Sequence, residues 1–180
     1  MHWIIVGIAV LMALGAATAI AGYFIPQSRI TARTTVMPAT PQQVWSVITG
    51  VTGFPRWRPA VRGVEVLSTV DGHHASWRER VRHGVIACDT DEMTPPRRLV
   101  VRITDRLLTY AGTWTYELAP AGAGTRLTIT ERGEISHPMW RGLAWFVSGP
   151  AGKLERYLAA LHRELSPRQP MPLKHRPLDA

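Results

Sequence analysis

GTWTYELAPAGAGTRLTITERGEI, residues 112–135, reads as two strands joined by a glycine-rich turn. Trp114, Tyr116 and Leu118 alternate with polar neighbours in the first half, and Leu127 and Ile129 do the same in the second. Period-two alternation marks a strand with one face in a core and one in solvent. The connection from Pro120 to Gly124 has the turn residues that let a chain reverse. A hairpin is therefore predicted here, and the rest of the fold must supply a surface that covers its apolar face.

Working outward toward the N-terminus, the same texture recurs. RITARTTV (29–36), VRGVEVLS (61–68), HASWRERV (74–81), GVIACDTD (84–91) and RLVVRITD (98–105) are strand candidates, separated by Asp71-Gly72, His83-Gly84 and Pro95-Pro96. Short connections between consecutive strands imply an antiparallel meander. Leu99, Val101 and Ile103 form one apolar row, and Ala75, Trp77 and Val81 form another that carries Glu79 inward with it. By the same count Glu131 follows Leu127 and Ile129 to the inner face.

Two helical segments complete the domain. In TPQQVWSVITG (40–50), Thr40 can cap, Pro41 suits the first helical position and Gly50 ends the run, with Val44, Val47 and Ile48 on one face and Trp45 beside them. Toward the C-terminus, Trp140, Leu143, Val147, Ala151, Leu154, Leu158, Leu161 and Leu165 recur at three and four, predicting a helix over 138–165 with Ser136 near its start. Gly149-Pro150 is expected to kink or split it. Between the first helix and the second strand lies FPRWRP (54–59). Its two prolines predict an extended turn, with Phe54 and Trp57 facing inward as a lid or plug and Arg56 and Arg58 facing solvent or headgroups.

Residues 3–25 carry no charge, with Trp3 at one end, Tyr23 and Phe24 at the other, and Arg29 and Arg33 just beyond. A helix of that length rises roughly 34 Å, enough to cross a bilayer core. The flanking arginines predict a single-pass anchor with the C-terminal domain in the cytoplasm. The competing reading is a cleaved signal peptide, with small residues around Ala17, Ala19 and Ala21. The uncharged first residues and the length of the apolar run favour the retained anchor. Three parts are expected: an anchor over 1–27, a domain over 28–166, and a disordered tail over 167–180, where four prolines and no periodicity appear.

The composition narrows the function. Apolar residues make up 46% and charged residues 19%, sufficient for a packed core, and the formal charge is +8. Almost all the excess is arginine, since Lys153 and Lys174 are the only lysines. No Lys/Arg run reads as a nucleic-acid arm, so no nucleic-acid partner is expected. Cys88, the single cysteine, excludes an intrachain disulfide, and Asp89 and Asp91 beside it argue against a thiolate nucleophile. His73, His74 and His83 fall at strand ends without metal-ligand spacing, so neither metal nor cofactor is expected. There is no phosphate-binding glycine loop and no nucleophile elbow.

Three stretches together resemble the SRPBCC superfamily, which includes START-like lipid-binding domains and polyketide cyclase/dehydrase-like proteins. They are PATPQQVWSVITGVTGFPRWRP (38–59), the 112–135 hairpin, and the closing amphipathic helix. The resemblance implies the α+β helix-grip fold: a curved antiparallel sheet of about seven strands wrapped on a long C-terminal helix. It also implies a mostly apolar cavity between them for an apolar small molecule or lipid. The wall is expected to involve Phe54, Trp57, Trp77, Glu79, Val101, Trp114, Tyr116, Ile129, Glu131, Trp140 and Val147. Glu79 and Glu131 are the only acid–base candidates for a cyclase/dehydrase-type reaction, and ordinary ion pairs with neighbouring arginines are their plain alternative. A third reading is a membrane-tethered interaction module whose core is filled.

Overall fold

The computed structural model describes residues 2–82, 84–105, 110–135, 137–139, 141 and 152–166. Helix α1 (His2–Phe24) precedes strand β1 (Ser28–Met37), helix α2 (Pro41–Thr49), a 3-10 turn (Val51–Gly53) and the short helix α3 (Phe54–Trp57). Strands β2 (Val61–Val70), β3 (His73–Val81), β4 (Gly84–Thr94), β5 (Arg98–Asp105), β6 (Tyr110–Ala121) and β7 (Gly124–Ile135) follow, then helix α4 (Gly152–Leu165). This is the α+β helix-grip fold. The seven strands form one antiparallel sheet in the order β1-β7-β6-β5-β4-β3-β2, so β2 to β7 run as a meander and β1 closes against β7.

Local chemistry accounts for each element. Thr40 caps α2 with a full capping box: its hydroxyl accepts from the Gln43 amide, and the Gln43 side chain accepts from the Thr40 amide at 2.9 Å. Val44, Trp45 and Ile48 are buried from that helix, and Val47 packs partly against the core. The β2–β3 hairpin turns through Asp71 and Gly72, both at positive φ (49° and 76°), which an Asp-Gly pair accepts readily. At the start of β7, a Cβ on Gly124 would lie 2.3 Å from the Met37 carbonyl oxygen, so only glycine lets β1 and β7 close there.

The concave face holds the core. Leu99, Val101, Trp114, Tyr116, Leu118, Leu127 and Ile129 are buried as the alternation predicts, and α4 covers them with Leu154, Tyr157, Ala160 and Leu161. Leu158 and Leu165 pack at its margin. The expected kink at Gly149-Pro150, the cap at Ser136 and the tail 167–180 lie outside the described residues.

The FPRWRP segment departs from expectation. Phe54–Trp57 is one turn of helix, and only Arg58 at its end is extended. Pro55 sits in the first helical turn, where its missing N–H and fixed φ cost nothing, so a proline there favours helix.

Helix α1 is apolar all round and long enough to cross a membrane, by length and composition. A signal sequence passes the same test. Its last turns touch the domain: Gly22 is buried, and Arg141 donates from Nε to the Gly22 carbonyl at 2.9 Å and from Nη1 to the Ile135 carbonyl at 3.2 Å. The Ile135 amide in turn donates to the Gln27 carbonyl.

Candidate functional site

A cavity of about 60 Å³, room for a few waters, lies on the concave face of the sheet. Ile48 of α2, Phe54 of α3 and Lys153 of α4 close over it, and β3 to β6 form its floor through Trp77, Ile86, Cys88, Val101, Ile103, Trp114 and Tyr116. Strand pairing places these in register: Trp77 opposes Cys88, Cys88 opposes Ile103, and Val101 opposes Trp114. Alternation then sends every one of them to the same face.

The wall is not wholly apolar, for Arg58, Glu79 and Lys153 bring charge to it. Arg58 and Glu79 form an ion pair, Nη1 to Oε1, at 2.7 Å, with Glu79 only 5% exposed and Arg58 21%. Trp77 Nε1 donates to the same Oε1 at 3.2 Å. The Arg58 guanidinium lies 4.6 Å from the Phe54 ring centroid and 5.4 Å from that of Tyr157, a cationic plane held between aromatic faces. Tyr157 is the hub of an aromatic cluster, 5.4 Å from Trp57, 5.2 Å from Trp114 and 6.1 Å from Tyr116, centroid to centroid. A second pair, Lys153 with Glu131 at 3.4 Å, crosses from α4 to β7, and Lys153 also sits 5.4 Å from the Trp114 ring centroid.

Burial sets the ionisation here. It opposes the charge of Arg58, but the Glu79 carboxylate, with Tyr157 and Tyr116 beyond it, outweighs that and raises the guanidinium pKa. Burial, then the charge of Glu79, pushes the Cys88 thiol far up. Both tyrosines are raised: Tyr116 by burial and then by its neighbour Tyr157, and Tyr157 by burial against an opposing pull from Arg58. Cys88 is thus kept a thiol mainly by desolvation. Asp89 contributes only a lesser push, and Asp91 is occupied at 3.0 Å by Arg102.

Of the residues singled out from the sequence, Phe54, Trp77, Glu79, Val101, Trp114 and Tyr116 meet at the cavity. Trp57 and Ile129 are buried in the core beside it, and Glu131 is held by Lys153; none of the three lines the cavity. Trp140 and Val147 lie outside the described residues. Two assignments are corrected. Arg58 turns inward to Glu79 rather than to solvent, because the one-turn helix points it back over the Phe54 ring; Arg56 stays exposed and pairs with Glu164 of α4. Glu79 therefore takes its partner from FPRWRP and not from Arg78, Arg80 or Arg82. Sequence reading missed Arg58 and Tyr157. Tyr157 occupies the i+3 position from Leu154 on the buried stripe, a signal hidden by counting only aliphatic residues.

Residues 28–165 match the family of polyketide cyclases / dehydrases and lipid transport proteins. This chain belongs to that family. Among curated proteins none matches it by sequence. A START superfamily protein from Mycobacterium smegmatis shares the fold at TM-score 0.63 and 17% identity, over 76% of this chain and 96% of that one. The Zhui aromatase/cyclase from Streptomyces sp. R1128 aligns at TM-score 0.62 and 17% identity over 77% and 93%. A truncated norcoclaurine synthase from Thalictrum flavum aligns at 0.60 and 12% over 83% and 96%. At these identities the family's fold is what the structures have in common.

Proposed function

We propose that the protein is a membrane-anchored binding or transfer protein for an apolar small molecule or lipid, held between the sheet and the C-terminal helix. The observation that carries the reading is the mostly apolar cavity on the concave face of a family member with a membrane-length apolar helix before the domain. The distance between the two supports it. Thr31, three residues after Ser28, pairs with Glu131, and Glu131 pairs with the cavity residue Trp114. At about 3.3 Å per residue, the cavity layer is about 10 Å along the strand from Ser28, where β1 begins four residues after α1 ends. With Arg29 and Arg33 exposed beyond α1, the domain is assigned to the cytoplasmic side. A ligand larger than a few waters enters by displacing the α3 turn, whose Phe54 forms part of the wall.

The test is to extract the full chain from its native membrane and identify what co-purifies by mass spectrometry. A stoichiometric apolar molecule is expected, lost when Ile103→Trp fills the cavity. An empty wild-type protein that also binds no apolar fluorophore overturns the reading. The family's cyclase/dehydrase chemistry remains the second reading, resting on Glu79 at the cavity wall; unchanged turnover of a candidate substrate in Glu79→Gln removes it.

A further inference from the structure

Not every arginine of the sheet has an acid beside it. Arg33, Arg78, Arg98 and Arg102 do, pairing with Glu155, Glu65, Glu92 and Asp91. Arg62, Arg80 and Arg82 are exposed and have no acid partner among the described residues. Strand pairing collects these three in one place. Val61 opposes Val81 and Gly63 opposes Arg80, so Arg62 is the bulged residue between two pairs, and Arg82 follows Val81 directly. A Cβ on Gly63 would lie 2.9 Å from Arg80 Nη2, so the guanidinium rests against bare backbone. No acid occurs in 59–64 or 80–88, and the adjacent Glu79 faces the other way, toward Arg58. Like charges on paired strands repel, which an anionic partner would relieve. Beside them Val85, which opposes Arg80, is 50% exposed.

The patch lies at the end of the sheet where α1 joins. β1 begins there, and in an antiparallel sheet of this strand order β2 also begins and β3 also ends at that end. α1 is fastened to the same end by Arg141 on the Gly22 carbonyl and by the Ile135 amide on the Gln27 carbonyl. Arg29, the second residue of β1, is likewise exposed and without an acid partner among the described residues.

We propose that Arg62, Arg80 and Arg82 dock on the anionic phospholipid headgroups of the membrane that α1 crosses, with Val85 seated at the headgroup level. An anionic leaflet attracts basic side chains within a Debye length of its surface, and the planar guanidinium fork matches phosphate oxygens two at a time. The proposal rests on the membrane-anchored reading above and adds the lipid class and the part of the domain that meets it.

The experiment uses the full chain with Cys88→Ala and an environment-sensitive fluorophore on Val85→Cys or, in a separate sample, on Leu11→Cys in α1. Each is placed in nanodiscs of phosphatidylcholine alone or mixed with phosphatidylserine. Quenching by acrylamide, a neutral molecule that lipid charge does not repel, reports exposure. The label at 85 is expected to be shielded on the anionic nanodiscs only, and freed again by added salt. Arg82→Gln should lower the ratio of docked to free domain about fivefold, and Arg62→Gln, Arg80→Gln and Arg82→Gln together about a hundredfold, from roughly 1 kcal/mol per arginine at an anionic surface. A label at 85 equally exposed on both lipids overturns the proposal. Equal shielding on both overturns it too, since contact would then not depend on lipid charge. If the label at 11 is shielded on both lipids, either failure leaves the anchored reading standing; a label at 11 open to acrylamide overturns that reading as well. The comparison of the two lipids decides the matter even if a variant fails to fold.

Discussion

Glu79 and Arg58 matter to stability as a pair, and the pair behaves differently from either member. Two charges taken out of water gain little from each other net, but removing one partner strands the other. Arg58→Met alone is expected to destabilise the chain by about 3 kcal/mol or more, and the double replacement with Glu79→Met should recover most of that loss. Denaturant unfolding of the four forms in mild detergent gives the coupling; additive losses would show that the two side chains act independently. Cys88 is a second residue with a measurable signature. Its thiol, Tyr116 and Tyr157 all have raised pKa values in the fold. Each therefore keeps its proton to higher pH when folded than when unfolded, so the unfolded state binds fewer protons and stability falls as pH rises. The cysteine loss begins near its ordinary value of 9.0 and the tyrosine losses near 10.0. Each group contributes a slope of up to about 1.4 kcal/mol per pH unit. Cys88→Ala should flatten the stability curve between about pH 9 and 10 and lessen the decline above it, which the tyrosines still carry; coincident curves would contradict this.

At the scale of elements, most of what proved legible came from periodicity, and most of what did not came from charge. Strand faces follow from alternation because a one-residue slip would turn every side chain over. Trp77, Trp114, Tyr116 and Ile129 are accordingly buried as read. The α2 cap was legible for an equally local reason: Thr40 and Gln43 satisfy each other without help from the fold. Arg58 was not legible, since an arginine next to a tryptophan and a proline looks solvent-bound until Glu79, far off on β3, is brought beneath it. The α3 turn shows both sides of this. Phe54 and Trp57 meet edge to face at 5.7 Å, and Trp57 goes on to Tyr157 of α4. Trp57 is 7% exposed and does not line the cavity, so it acts as a plug joining α3 to α4. Trp57→Ala should cost about 3–5 kcal/mol, the range for emptying a buried aromatic site. Phe54→Ala, which instead enlarges the cavity, should lose stability while changing which apolar probes bind. Thermal melts of both variants with and without an apolar fluorophore separate a plug from a lid. A Trp57→Ala protein of wild-type stability would reverse the assignment.

For the whole molecule, the contact between α1 and the domain decides whether α1, the anchor in the function proposed above, is a loose tether or a fixed mount. The last carbonyls of any helix lack intrahelical partners, and a cation there also meets the favourable end of the helix dipole. Arg141 provides both to α1, reaching the Gly22 carbonyl across 119 residues of sequence while its other end of the fork holds Ile135 at the end of β7. At 5% exposure this arginine is buried, and Ile135 is itself tied to Gln27 just after the helix. No alignment of apolar residues could have shown this, because the interaction joins a side chain to a backbone oxygen. The three contacts hold α1 to the end of the sheet where β1 starts and β7 finishes, which orients the domain, and the cavity within it, with respect to α1. Arg141→Ala should release that orientation while leaving the sheet intact. In a Cys88→Ala background, spin labels at His2 and at exposed Arg126 on β7 should give a narrow distance distribution, broadened markedly by Arg141→Ala. An equally broad distribution in the parent protein would mean that α1 swings freely, and that the position of the cavity relative to α1 is not built into the fold.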